Sequence, residues 1–172
     1  MELSNIYYSF LNRSKNKWII LFLLGLILII NFFIFPSLKI PEEKILDVRL
    51  YYTPKEAIDY SQQLTQNGIK KSIIMHSTVD IIYPCVYTLF LSSIILYLKG
   101  DKRLVSVPLL IFTADILENL SIIFLLIIPK QSIFLKIPSY IGSAATTLKW
   151  ASFGICFIII LFLGIKRLNK LH

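Results

Sequence analysis

Four long apolar runs, interrupted by only a few ionisable residues, dominate the pattern of this chain. They extend over residues 18–35, 72–98, 104–129 and 137–165. A helix needs about 20 apolar residues to cross a hydrocarbon core about 30 Å thick. A membrane β-barrel would instead show alternating strands of about ten residues. The pattern therefore predicts an all-α, four-transmembrane-helix bundle, a single membrane domain over 1–172 with helices at about 18–36, 73–98, 104–128 and 140–165.

The basic residues beside these runs predict the orientation of the bundle. They cluster before the first run, between the second and third, and after the fourth: Arg13, Lys15, Lys17; Lys99, Lys102, Arg103; Lys166, Arg167, Lys170. The basic residues of the segment 37–71 are spread over a longer stretch and mixed with acids. The positive-inside rule then places both termini and the 99–103 loop in the cytoplasm, and 37–71 outside. Abundant Ile, Lys and Asn favour an AT-rich bacterial source, and hence the cytoplasmic membrane as the cell membrane.

The extracytoplasmic loop, at about 37–71, carries the signature of an ordered helix. Thr53, Pro54 and Glu56 match an N-cap, a proline at the first helical position and the third-position acid of a capping box. A helix is expected to follow and to end at Asn67-Gly68. Loops of this length are usually functional when they are ordered.

Composition excludes several classes of function. A mean hydropathy of +0.71 is too high for a soluble globule. The net charge of +8 lies beside the apolar runs, without any nucleic-acid-binding motif, so nucleic acid is disfavoured as a partner. Cys85 and Cys156 are far apart and lie in apolar segments, where they are expected to be buried, which argues against redox chemistry.

Several short motifs resemble a family of small bacterial four-helix membrane proteins that has no assigned function. The motifs are Asp47-Val48-Arg49-Leu50-Tyr51-Tyr52, Thr53-Pro54-Lys55-Glu56-Ala57, Asn67-Gly68, Asp80-Ile81-Ile82-Tyr83-Pro84 with Tyr87, Asp115-Ile116-Leu117-Glu118-Asn119 and Lys149-Trp150. Tyr51 and Ile69 depart from the Gly and Arg that the family pattern has at those positions. The resemblance covers residues 45–150 and implies the four-helix architecture, but no activity.

All four predicted helices place polar groups at a similar depth. Counting 1.5 Å per residue from the cytoplasmic boundary puts them roughly 17 to 27 Å up. The residues at this depth are Asn31, Asp80, Tyr83, Asp115, Glu118, Asn119 and Lys149. The candidate ligand-binding set also includes His76 and Tyr87, which share a helix face with Asp80 and Tyr83. Charged groups cost several kcal/mol in hydrocarbon, so they usually face the bundle interior and pair.

The spacing of these residues predicts shared helix faces. His76, Asp80, Tyr83 and Tyr87 form one stripe, and the polar residues 115, 118 and 119 form another. Pro84 frees the carbonyl of Asp80 from its helical partner.

The charges in this layer do not balance. Three carboxylates face one lysine, so at least one carboxylate is expected to carry a proton near neutral pH. Lys149 is expected to pair with Glu118 or Asp80. Other arrangements also fit: Lys149 could extend to the outer surface beside Trp150, and His76 with Asp80 could lie at the outer boundary.

Three functions fit this pattern. The layer could bind or transport a small cation, a proton or a lipid-like ligand. Alternatively, its acids, with His76 nearby, could serve an intramembrane acid/base enzyme that acts on a lipid-soluble substrate, or the chain could be a structural or accessory subunit of a membrane complex. Membrane lipids are expected as partners and a homo-oligomer is compatible with so small a bundle. No metal or cofactor is expected, because His76 and Asp80 lack a third ligand.

Overall fold

The computed structural model describes residues 16–38, 46 and 48–169, and within these ranges all regular structure is helical. The helices are α1 (Lys17–Ser37), α2 (Pro54–Gln63), α3 (Gln66–Ser77), α4 (Val79–Tyr97), α5 (Ser106–Ile127) and α6 (Lys136–Leu168). Short 3₁₀ turns, Lys102–Val105 and Ile133–Leu135, lead into α5 and α6. Within the described residues, four helices are long and apolar enough to cross a membrane: Lys17–Ser37, Gln66–Tyr97, Lys102–Ile127 and Ile133–Leu168. Arg13, Lys15, Asp47 and Lys170, which entered the predictions, lie outside the described residues.

The second long helix differs from the prediction at its start. We expected Asn67-Gly68 to end the loop helix, but this was wrong: α2 ends at Gln63, and Leu64 is extended. The Thr65 side chain then accepts a hydrogen bond from the N–H of Gly68 and caps α3. Residues 66–71, which we assigned to the loop, therefore belong to the helix. The backbone breaks at Thr78 before α4 continues.

Helix α1 lies at the edge of the bundle and packs mainly against α4. Most of its large apolar side chains are exposed, and Leu23 and Ile30 are its buried ones. A turn of π-helix at Ile30–Ile34 precedes Pro36, which has no N–H to continue the α-helical pattern. This local widening is a common way to place a polar side chain, here Asn31, at a functional position.

Helix α5 is the centre of the bundle, since it packs against α2, α3, α4 and α6. Two apolar clusters lie at opposite ends of it. The first joins the 46–60 region to the end of α5 and the 3₁₀ turn before α6: Leu46, Tyr52, Ala57, Tyr60, Ile122, Leu125, Leu126 and Leu135. The second joins α4, α5 and α6: Tyr87, Ile95, Ile111, Cys156 and Leu163. The charged layer lies between the two clusters.

One basic end of the bundle is closed by contacts between α4 and α6. The Arg167 guanidinium donates a 2.8 Å hydrogen bond to the carbonyl of Tyr97 and lies 4.4 Å from the centre of the Tyr97 ring. This brings the end of α6 to the end of α4, where the 99–103 loop begins. Both cysteines are free, but Cys85 is exposed rather than buried as expected.

Candidate functional site

A buried polar cluster joins four helices at the middle of the bundle, and α5 supplies three of its members. Asp115, Glu118 and Asn119 lie at positions i, i+3 and i+4, so they leave neighbouring points of one helix surface. Asp115 contacts α4 and α6, Glu118 contacts α6, and Asn119 contacts α3 and α4. A single helical face thus bridges the other three helices.

Lys149 is held between two carboxylates. Its Nζ lies 3.3 Å from Asp115 Oδ1 and also forms an ion pair with Glu118 Oε2. The Thr146 hydroxyl bonds to the other oxygen of Glu118 and lies 2.9 Å from the carbonyl oxygen of Gly142. Glu118 is fully buried and Lys149 is 5% exposed. The ammonium is therefore a buried counterion rather than a group that extends to the surface.

Two tyrosines carry the polar network towards α1. The Tyr87 hydroxyl donates to Asp115 Oδ2 at 2.6 Å, on the opposite side of the carboxylate from the lysine. The Asn31 amide, in the π-helical turn of α1, donates to the Tyr83 hydroxyl at 2.8 Å and to the Ile27 carbonyl at 2.8 Å. Asn31 is exposed and Tyr83 is half-buried, so this arm of the network opens outward.

His76, Asp80 and Asn119 form a second part of the cluster. His76 Nδ1 lies 2.9 Å from Asp80 Oδ2 and 3.0 Å from Asn119 Oδ1, and the imidazole is fully buried. The Asn119 amide donates to the backbone carbonyl of Asp80 at 2.7 Å. As predicted, Pro84 leaves that carbonyl without its helical N–H, and Asn119 fills the vacancy.

Aromatic rings form a continuous run beside the carboxylates. Neighbouring centroids lie 5.4, 5.3, 5.1 and 5.6 Å apart in the order Phe35, Tyr83, Tyr87, Phe153 and Trp150. The run passes from α1 across α4 to α6. At its far end Lys149 Nζ lies 5.7 Å from the centre of the Trp150 ring, within the range of a cation–π interaction.

One end of the cluster is covered by the segment that contains Tyr52. Tyr52 is buried, and its carbonyl accepts a hydrogen bond from the Ser143 hydroxyl. A Cβ at Gly142 would lie 2.6 Å from the Tyr52 hydroxyl oxygen, so a larger residue there would displace this cover. The carbonyl of Gly142 also contacts the Thr146 hydroxyl, which bonds to Glu118. Gly142 and Thr146 thus connect the Tyr52 segment to the buried carboxylate.

The nine candidate residues contribute unequally to this arrangement. Seven are buried: His76, Asp80, Tyr87, Asp115, Glu118, Asn119 and Lys149. The expected pairing of Lys149 with Glu118 is confirmed, whereas Asp80 pairs with His76. The side chains of Lys149, His76 and Asp80 are all buried within the bundle, so Lys149 does not extend to the surface of the protein. The depth of His76 and Asp80 in the membrane stays a prediction.

Sequence reasoning missed the parts of the cluster that carry no charge. Thr146 was not among the candidates, and Phe35 and Phe153 gave no signal among the many phenylalanines. Trp150 was considered only as a neighbour of Lys149. A search for aromatic residues next to a charged residue, or one turn from it, would have found Trp150 and Phe153.

Comparison with known proteins gives no match to a family model, a curated protein or a solved structure. The resemblance drawn from residues 45–150 stays a prediction. In the part of the chain that the structure describes, no three His, Cys, Asp or Glu side chains are grouped closely enough to hold a metal ion.

Proposed function

We propose that this chain is an integral membrane protein of the bacterial cytoplasmic membrane, with both termini in the cytoplasm, and that its buried cluster binds or transports a small cation or a proton. The observation that carries the proposal is the position of Lys149. Its ammonium bridges two buried carboxylates, which is the environment that an incoming cation or amine would require. Lys149 thus acts as a resident cation that a ligand or a proton movement can displace.

The energetics of buried ion pairs favour a functional role over a purely structural one. Replacing a buried ion pair with well-packed apolar residues is often neutral or stabilising, so such a pair is weak support for a stabilising role. Five ionisable side chains are collected here at the level of the apolar spans: His76, Asp80, Asp115, Glu118 and Lys149. Ionisable groups inside a membrane bundle commonly mark pathways for ions and protons.

Calorimetry of the purified protein with methylammonium tests this proposal. Saturable binding is expected, and both Asp115→Asn and Glu118→Gln should weaken it at least about tenfold, since a charged hydrogen bond contributes roughly 1.5–3 kcal/mol. Each variant leaves the other carboxylate to pair with Lys149, so folding should be retained. Asp59→Asn, on α2 outside the cluster, is the matched control and should bind like the unaltered protein.

Removing the resident ammonium gives the opposite expectation. Lys149→Met frees both carboxylates, so methylammonium affinity should rise, by about tenfold if displacing the lysine costs about 1.4 kcal/mol. Two carboxylates left without their counterion also destabilise the fold, and Lys149→Met combined with Glu118→Gln relieves that repulsion. The proposal would be overturned if methylammonium bound neither to the unaltered protein nor to the folded Lys149→Met and Lys149→Met/Glu118→Gln variants. Loss of folding in the single neutralising variants would favour a structural role.

A further inference from the structure

We infer that the ligand of this cluster is a membrane-soluble organic ammonium ion whose apolar part lies against the aromatic run Phe35–Tyr83–Tyr87–Phe153–Trp150. The inference rests on the proposed function and names its substrate class. An inorganic cation would need only the carboxylates. The position of five aromatic rings beside them is the additional feature that has to be explained.

The resident ammonium already shows how such a ligand would bind. Lys149 Nζ contacts two carboxylates and lies 5.7 Å from the centre of the Trp150 ring. Ammonium ions bound over aromatic faces gain cation–π attraction, and the gain is larger where water is excluded. The alkyl stem of Lys149 is itself the apolar body of an alkylammonium ion. A free organic ammonium offers the same two chemical parts.

The aromatic run also joins the cluster to the outer surface of the bundle. Phe35, Tyr83, Phe153 and Trp150 are half-buried, whereas Tyr87 is buried beside Asp115. The run is therefore accessible at its four half-buried rings, and its buried middle ring, Tyr87, contacts a carboxylate. An apolar cation in the membrane could reach the acids along these rings without passing through water.

Binding of benzylammonium, methylammonium and uncharged benzyl alcohol to the purified full-length chain tests the inference. Affinities are measured by calorimetry, and Trp150 fluorescence reports the location. The Trp18→Phe background leaves Trp150 as the single tryptophan, since the chain has two, and Trp18 is 67% exposed at the start of α1. Benzylammonium should bind at least about tenfold more tightly than methylammonium and change Trp150 fluorescence saturably, and benzyl alcohol should do neither.

A pair of phenylalanine substitutions on α6 provides the matched control. Phe153→Leu removes a ring of the run while keeping an apolar side chain, so benzylammonium affinity should fall about three- to tenfold and methylammonium affinity should stay within about twofold. Phe157, one helical turn further along, is 63% exposed, and Phe157→Leu should change neither affinity.

The outcomes separate this inference from the proposed function. Methylammonium binding without any preference for benzylammonium, or a Phe153→Leu variant equal to Phe157→Leu, would overturn the organic ligand and leave the cation site standing. Equal binding of benzyl alcohol would show simple partitioning and would also overturn the inference. Failure of both ammonium ions to bind would overturn the proposed function itself.

Discussion

The Asn119 side chain replaces a backbone hydrogen-bond donor that is missing from α4. Pro84 provides no N–H for the Asp80 carbonyl, which would otherwise remain unpaired in the bundle interior. The Asn119 amide fills that place at 2.7 Å and its oxygen holds His76 at 3.0 Å. The proline and the asparagine are therefore energetically dependent on each other, although they lie on different helices.

The dependence predicts a measurable coupling between the two positions. Asn119→Ala should cost about 1–3 kcal/mol, because it removes the amide that donates to the Asp80 carbonyl and one of the two contacts of His76 Nδ1. In a Pro84→Ala background the backbone N–H at position 84 can donate to the Asp80 carbonyl. Asn119→Ala should therefore cost at least about 0.5 kcal/mol less there than in the unaltered protein. Reversible unfolding in mixed micelles measures all four proteins of the cycle.

The control for this cycle is Ser121→Ala, on the same helix. The Ser121 hydroxyl bonds to the Leu117 carbonyl within α5, so its effect should be independent of Pro84. Additive effects of Pro84→Ala and Asn119→Ala would show that the asparagine does not replace the missing N–H.

At this scale the sequence indicated which residues would gather, and it offered Glu118 or Asp80 as the partner of Lys149, but it did not predict the contact of Lys149 with Asp115. The helical spacing of His76 and Asp80, and of Asp115, Glu118 and Asn119, follows directly from 3.6 residues per turn. The choice of Asp115 and Glu118 over Asp80 for Lys149 depends on the rotation and height of α6 against α5, which packing of uncharged side chains sets. Thr146 and the aromatic rings belong to that packing, so charge alone could not reveal them.

Helix α2 is an element whose start is determined locally. The N–H of Thr53 donates to Glu56 Oε2 at 2.6 Å, and the N–H of Glu56 donates to Thr53 Oγ1 at 3.2 Å. The predicted capping box is therefore confirmed. The end of α2 and the start of α3 were mispredicted because Thr65 caps a new helix in which Asn67 and Gly68 occupy the first turn. Thr65, an N-cap residue two positions before Asn67-Gly68, was the signal for a new helix. The prediction instead gave more weight to Gly68 as a helix-ending residue.

The cap makes the order of α2 dependent on pH. Hydrogen bonds from the backbone N–H and hydroxyl of Thr53, with the nearby Arg49, lower the pKa of Glu56 below its ordinary value of 4.5. A lowered folded-state pKa stabilises the helix above pH 4.5, and that contribution is lost as the pH falls through the folded pKa. Protection of the first-turn amides from hydrogen exchange, corrected for intrinsic rates, should therefore decline on acidification.

The ratio of protection between the unaltered protein and Glu56→Gln isolates this effect. Glutamine can also cap but does not titrate, and all other groups are the same in both proteins, so their contributions cancel. The ratio should exceed one at neutral pH and approach one as the pH falls through the folded-state pKa of Glu56, which lies below 4.5. A ratio that does not change with pH would show that the Glu56 carboxylate does not stabilise α2.

The whole molecule has its charged cluster between two apolar clusters and its helix ends in two different charge environments. At one end, Arg167 joins α6 to Tyr97, next to the compact 99–103 loop with its three basic residues. At the other end, Lys130 donates to the Gln62 carbonyl at the end of α2, and the basic residues there are dispersed along the loop among acids. Short basic loops are retained on the cytoplasmic side more strongly than long mixed ones.

This asymmetry predicts the accessibility of two engineered cysteines in intact cells. After Cys85 and Cys156 are replaced by alanine, Lys55→Cys at the exposed start of α2 should react with a membrane-impermeant maleimide from outside. Lys102→Cys, in the short basic loop, should react only after permeabilisation. The opposite pattern would reverse the orientation and place the loop cover of the cluster in the cytoplasm. Equal labelling of both sites in intact cells would show mixed insertion, which would mean that three basic residues in one short loop do not outweigh the dispersed charges at the other end.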